Sequence, residues 1–272
     1  MKLINSGLTG LFDLLFLPFS RLAPLWGLTV FSIVTGILML WIFGLVSNQD
    51  AIRTIRDRIR GNLIAVRLFG DDLGLLFRLQ GRLLRDNVVF LKYALIPLLV
   101  MIVPVLVILI QLNLRFDTKP LEPAEAVLVK VTLRDAAAFE RGVSLETPAG
   151  VKVETPGVRV PALREVAWRI RPEQPGRYNL LVHAGEEVVE KELRVGEGWG
   201  ATSALRTGKS FFDVLLYPGE PPISSRTVES IEIKYKPLDL ELFGWSVNWL
   251  VFFFVLSILS GFAFRRVLGV EI

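Results

Sequence analysis

The chain has 272 residues, 52% of them hydrophobic, with a mean hydropathy of +0.50 and a formal net charge of +4. That balance excludes an ordinary soluble globule, while one histidine and no cysteine exclude disulfides, cysteine-bound metals and a thiol nucleophile. A pI near 9.5 raises nucleic acid as a partner, yet the basic excess is confined to one segment between apolar runs, which directs it to anionic lipid or a nascent polypeptide.

Residues 1–24 contain the run LTGLFDLLFLPF, which Asp13 and Pro18 interrupt and no small-residue cleavage site follows, so it is expected to be retained. Leu8, Leu11, Phe12, Leu15 and Phe19 recur at three- and four-residue spacing, the pattern of an amphipathic helix lying in the membrane interface. Pro18 ends or kinks it. Residues 25–46 read as a first transmembrane helix, close to the roughly 20 residues that cross a hydrocarbon core. Trp26 suits the interface, and Ser32, Thr35, Gly36 and Gly44 are small enough to let another helix approach.

Residues 47–87 read as a basic helical hairpin. From Asp50 to Lys92 nine basic side chains face five acidic ones. Ser47 with Asp50 resembles a capping box, after which Ile52, Ile55, Ile59, Leu63 and Val66 form an apolar stripe with Arg53, Arg56, Arg60 and Arg67 on other faces. Gly70 supplies a break, Asp71 or Asp72 a cap, and a second helix follows through Leu73, Leu76, Phe77, Leu83 and Leu84, carrying Arg78, Arg82 and Arg85. These arginines set topology and touch lipid headgroups, or form a platform that receives polypeptide substrates. Residues 88–112 read as a second span, with kinks at Pro97 and Pro104, Lys92 able to snorkel, and Gln111 near its far end.

Residues 113–244 have the composition of a soluble β domain, with 20 acids against 18 bases. Strands are expected at 126–133, 143–146, 151–154, 165–170, 177–183 and 187–195, one or two more at 228–243, and a long loop at 202–222. The alternation around Trp168 and Tyr178 fits an immunoglobulin-like β-sandwich with both rings in its core. Residues 245–264 read as a third span opening on Trp245 and Trp249, and 265–272 as a tail with Arg265 and Arg266. The fold class is thus a polytopic α-helical membrane protein with three transmembrane helices and an extracytoplasmic β-sandwich.

The positive-inside rule puts the arginine hairpin and the carboxyl end in the cytoplasm, hence the amino end and the β domain outside a bacterial inner membrane. No enzyme constellation stands out, and no catalytic, cofactor or metal site is expected. Asp71 and Asp72 read as caps, Glu186 and Glu187 as a hairpin tip, His183 as a strand residue. The glycines of 196–200 lack the lysine and the strand-to-helix setting of a phosphate loop. The spans contain no acid that would serve a proton relay.

The order of an interfacial helix (LFDLLFLPFSRLAPLWGL), a span, a basic hairpin, a Pro-containing span (ALIPLLVMIVP) and a last span with a basic tail (VLSILSGFAFRRVLGVEI) resembles the YidC/Oxa-type membrane-protein insertase superfamily, in its three-span members. The likeness covers 1–112 and 245–272. It implies a cofactor-free insertase or chaperone of membrane segments whose partners are lipids, nascent membrane proteins and the ribosome. Two departures are visible: the first span has no groove arginine, leaving Ser32 and Thr35 as its polar residues, and the β domain lies between the second and third spans. The alternative is a non-catalytic envelope-complex subunit that binds a protein partner through the β domain.

Overall fold

A computed structural model describes residues 2–20, 22–68, 73–139, 142–196, 198–208, 210–242 and 244–270. The chain divides into two compact units, one of Met1–Gly27 and Ile108–Trp249, the other of Leu28–Val107 and Leu250–Ile272. The helices are α1 (Lys2–Phe16), α2 (Pro24–Val46), α3 (Gln49–Leu68), α4 (Leu73–Phe116), α5 (Phe211–Leu216) and α6 (Trp249–Phe264).

Among the described residues two helices, α2 and the Phe77–Phe116 stretch of α4, are long and apolar enough to cross a membrane. The first matches its expected bounds to within one residue. The second differs, because the returning hairpin helix and the second span form one uninterrupted helix of 44 residues. The strongest helix breakers between Leu73 and Phe116 are Pro97 and Pro104, each of which removes the bond to the carbonyl four residues before it and crowds that carbonyl, and the helix continues through both. The third apolar segment also differs. Gly244, at φ 81°, turns Trp245–Val247 back onto Leu240–Leu242 as an antiparallel ribbon, so α6 starts at Trp249. Its 16 residues span about 24 Å, short of the roughly 30 Å of a hydrocarbon core.

The start of α3 is capped one residue later than expected. Asn48 Oδ1 accepts from the Ala51 N–H at 3.0 Å, and Ser47 instead accepts from the Gln49 side chain. Gly70, Asp71 and Asp72 lie outside the described residues. Phe16 passes into a single 3₁₀ turn, Leu17–Phe19, with Pro18 inside it, which confirms the break expected at that proline.

The strands are β1 (Val127–Leu133), β2 (Val143–Glu146), β3 (Val151–Val153), β4 (Val158–Val160), β5 (Glu165–Pro172), β6 (Gly176–Ala184), β7 (Glu187–Val195), β8 (Leu205–Thr207), β9 (Val228–Ile233), β10 (Leu240–Leu242) and β11 (Trp245–Val247). One sheet has the order β3-β5-β1-β9-β8, with β4 also paired to β5; a second has the order β2-β6-β7. All named pairings are antiparallel. Alternate residues of both sheets meet in one core: Val129, Val131, Val166, Trp168, Ile170 and Ile231 from the first, Leu180, Val182 and Leu193 from the second. Trp168 is buried as expected, and Tyr178 is half-buried against the core, its hydroxyl donating to the Gln174 carbonyl at 2.9 Å.

The 202–222 stretch is not a plain loop, since it holds β8 and α5. It is fastened to β7 by a buried ion pair between Lys191 and Glu220. Lys191 Nζ also donates to the Ser203 carbonyl at 2.6 Å, and Glu220 Oε1 accepts from the Glu192 N–H at 2.8 Å. Along the outer side of β7 the Glu190 carbonyl accepts from Arg206, and the Arg194 N–H donates to the Tyr235 hydroxyl at 3.0 Å. Three backbone groups of that edge thus meet side chains, and the Arg194 carbonyl accepts from the Leu121 N–H at 3.2 Å.

Candidate functional site

Within the unit formed by 28–107 and 250–272, α2 and α6 approach at small residues. Ser257 Oγ donates to the Ser32 carbonyl at 3.0 Å, Ser260 Oγ to the Ser257 carbonyl at 2.9 Å, and Ser32 Oγ to the Leu28 carbonyl at 2.7 Å. A Cβ added to Gly36 would lie 2.1 Å from Ser260 Oγ and 2.2 Å from the Ser257 carbonyl oxygen, so only glycine permits this approach. Ser32 and Thr35 are buried and serve packing, the role expected of small residues there.

Beside this contact lies a groove of about 340 Å³ bounded by α2, α4 and α6. Met39, Phe43, Met101, Val105, Phe254 and Ile258 line it, and its lining exposes no polar surface. Methionine and phenylalanine walls adapt to irregular apolar shapes. Gly36 and Thr35 form part of its floor, while Pro97 and Pro104 flank Met101 on α4. Pro97 is buried and Pro104 half-buried.

Arg53, Arg60, Arg78, Arg82 and Arg85 are exposed and Arg56 is half-buried; the side chain of Arg67 lies outside the described residues. Between α3 and α4, the half-buried Asn62 donates to the buried Asp86 at 3.1 Å, and Asp86 also lies 3.7 Å from Arg85. Around the arginines, Leu63, Ile64, Phe77, Leu84, Val88 and Leu91 are exposed as well, so cationic and apolar side chains share the hairpin surface.

The other unit contains a charge that the sequence reading missed. Arg115, in the last turn of α4, is 1% exposed. Its guanidinium donates to Asp13 Oδ1 at 2.5 Å, to the Thr9 carbonyl at 3.1 Å, and to both the Gln111 carbonyl and Gln111 Oε1 at 2.9 Å. The rings of Phe12 and Phe16 lie 5.8 and 5.5 Å from it, within cation–π range. Gln111 thus orients this arginine. The amphipathic stripe expected along α1 divides accordingly: Phe12 turns inward, together with Phe16, which lies outside that stripe and meets Phe116 and Trp199 edge-on, while Leu11 and Leu15 remain exposed, as does Leu14. Trp199 stacks on Phe116 at 5.0 Å and donates its indole N–H to the Leu22 carbonyl at 2.9 Å.

These groups rim a cleft of about 340 Å³ that also meets Arg177, Glu192, Arg194 and Tyr235. Arg194 spans the cleft wall, donating to the Ala201 carbonyl at 2.7 Å. Burial, then the nearby Arg177 charge, lower the Arg194 pKa from its ordinary value. Burial likewise raises that of Tyr235. The charged groups of the cleft have partners within the unit: Asp13 with Arg115, Arg177 with Glu192 at 3.8 Å, and Arg194 with backbone carbonyls. The signal for Arg115 was present in the sequence, as a charged residue directly after an apolar run and an aspartate inside an apolar helix. Among the described residues no group of three or more His, Cys, Asp or Glu side chains is arranged to hold a metal. No family model, curated protein or solved structure matches the chain.

Proposed function

We propose that the chain is a multi-pass inner-membrane protein of insertase-like architecture that assists the insertion or folding of membrane segments without covalent chemistry. The observation that carries this reading is the open apolar groove bounded by α2, α4 and α6. Support also comes from the faces of these helices. Val34, Leu45, Ile96, Leu99, Val103, Val255 and Leu259 are exposed, which suits lipid and would be costly in water. In this reading α6 is the third span, and its 16 residues draw the bilayer thin beside the groove, easing entry of a client segment. The arginines of α3 and of the first turns of α4 face the cytoplasm, where they meet anionic lipid, the ribosome or the incoming chain. The immunoglobulin-like β domain and the amino end lie outside.

The test pairs two measurements on the full chain. A photocrosslinker at Met101 or Phe254 is expected to capture nascent membrane segments during synthesis. Changing Arg53, Arg56, Arg60 and Arg67 together to Gln is expected to reduce that capture while protease accessibility shows the topology unchanged. Absence of any capture from either groove position would overturn the proposal.

A second reading, a non-catalytic envelope-complex subunit acting through the β domain, has one observation in its favour: Val158, Val160 and Leu163 are exposed together along and just after β4. It predicts recovery of a defined partner with the full chain, lost on Val158→Ser with Leu163→Ser.

A further inference from the structure

The short helix α5 has the makings of a second contact with lipid. It begins at Ser210, whose Oγ accepts from the Asp213 N–H at 3.2 Å and donates to Asp213 Oδ2 at 2.8 Å, so the only charge within the helix is tied back at its start. Beyond that cap the exposed side chains are apolar or amphipathic: Phe212, Leu216 and Tyr217 are 71%, 46% and 38% exposed. Two contacts fix where this helix lies. Asn5 of α1 donates its side-chain amide to the Val214 carbonyl at 3.0 Å, which places α5 beside the helix that bears the exposed Leu11, Leu14 and Leu15. Leu216 and Tyr217 also share a cleft of about 40 Å³ with Asn113 and Leu114 in the last turn of α4.

The apolar stretch of α4 ends at residues 112–116, inside the same unit as α5, so a bilayer that α4 crosses has its edge along those residues. A helix held level with residues 113–114 and with α1 sits at that boundary. From this we infer that α5 docks on the outer surface of the bilayer, with Phe212 and Leu216 in the headgroup–acyl region and Tyr217 at the polar level, where amphipathic aromatic rings reside. Its partner is the lipid surface, reached side by side with α1. The inference rests on the reading that α2 and α4 cross a membrane.

The chain has no cysteine, so single-cysteine labelling needs no background removal. Leu216→Cys, Leu14→Cys and Leu128→Cys, all at exposed positions, are made in the full chain, labelled with an environment-sensitive fluorophore and placed in phosphatidylcholine–phosphatidylglycerol nanodiscs with a quencher on the acyl chain near the headgroup. Leu128 lies on the outer face of the first sheet and reports water. The Leu216 label is expected to be quenched at least about two-fold more than the Leu128 label, as the Leu14 label is. Quenching at Leu14 with none at Leu216 overturns the α5 contact alone. Loss of quenching at both overturns the membrane reading beneath it, and the inference with it.

Discussion

The Arg115 guanidinium meets the Asp13 carboxylate across 102 residues of sequence, at 2.5 Å, with the arginine buried and 58% of the aspartate side chain still open to solvent. The pair is therefore asymmetric. Removing the aspartate strands a charge in the interior, whereas removing the arginine returns an aspartate to water.

Asp13→Ala is accordingly expected to lower the stability of the purified full chain by about 1–3 kcal/mol, discounted for the exposure of the carboxylate. Arg115→Met costs less, and adding Asp13→Ala to it costs almost nothing further. Thermal unfolding of the four proteins gives the coupling directly. Additive losses would show that the two residues act independently.

Gly36 and Gly61 make opposite predictions. Gly36→Ala forces a methyl against the Ser257 backbone and is expected to destabilise by about 1–3 kcal/mol, loosening the contact between α2 and α6. Gly61→Ala, on α3 with nothing within 4 Å of the new atom, is expected to stabilise by about 0.5–1 kcal/mol. Equal melting shifts of the same sign for the two variants would contradict the close approach.

Lys191→Met and Glu220→Gln test the ion pair that fastens 203–220 to β7. Burial lowers the Lys191 pKa, with Glu220 opposing that effect. Glu220→Gln leaves the buried ammonium without its counter-charge and is expected to cost about 3–5 kcal/mol. Lys191→Met leaves an acid that still accepts from the Glu192 N–H, and costs less. The readout is proteolysis within 203–220, which rises most for Glu220→Gln.

Glu187 predicts a pH dependence. Hydrogen bonds from the Ser225 hydroxyl, then from the Arg226 and Thr227 N–H groups, hold its pKa at about 2 against an ordinary 4.5. A depressed carboxyl pKa stabilises the fold above its unfolded value, and that contribution is lost as pH falls from about 4.5 towards 2. The difference in melting temperature between wild type and Glu187→Gln is therefore largest at neutral pH and shrinks below pH 4; a difference that stays constant from pH 7 to pH 3 would refute the assignment.

What could be read from sequence followed the length and regularity of each pattern. The predominantly apolar 23-residue run of α2 and the strict alternation of β5, β6 and β7 are signals local to the segment, and their bounds came out within one or two residues. The junction inside α4 was misread because Arg85, Asp86 and Asn87 look like a boundary in composition, yet none of them breaks a helix. Strand β4 has only three residues, and Trp245 reads as an interfacial anchor until Gly244 reverses the chain. Helix α5 did have a local mark in Ser210 and Asp213, a short capping box inside a stretch read as loop. For Arg115 the sequence showed a charge after an apolar run and an aspartate within an apolar helix, but not that the two meet, since that pairing joins residues 102 apart.

The sealed margin of β7 limits how anything can dock on this domain. With the Glu190 carbonyl and the Glu192 and Arg194 N–H groups already taken by Arg206, Glu220 and Tyr235, a visiting polypeptide meets an interrupted backbone ladder on that side of the smaller sheet. At those positions recognition falls to side chains and surface shape, and sideways stacking of one copy onto another through β7 would have to displace the chain's own residues.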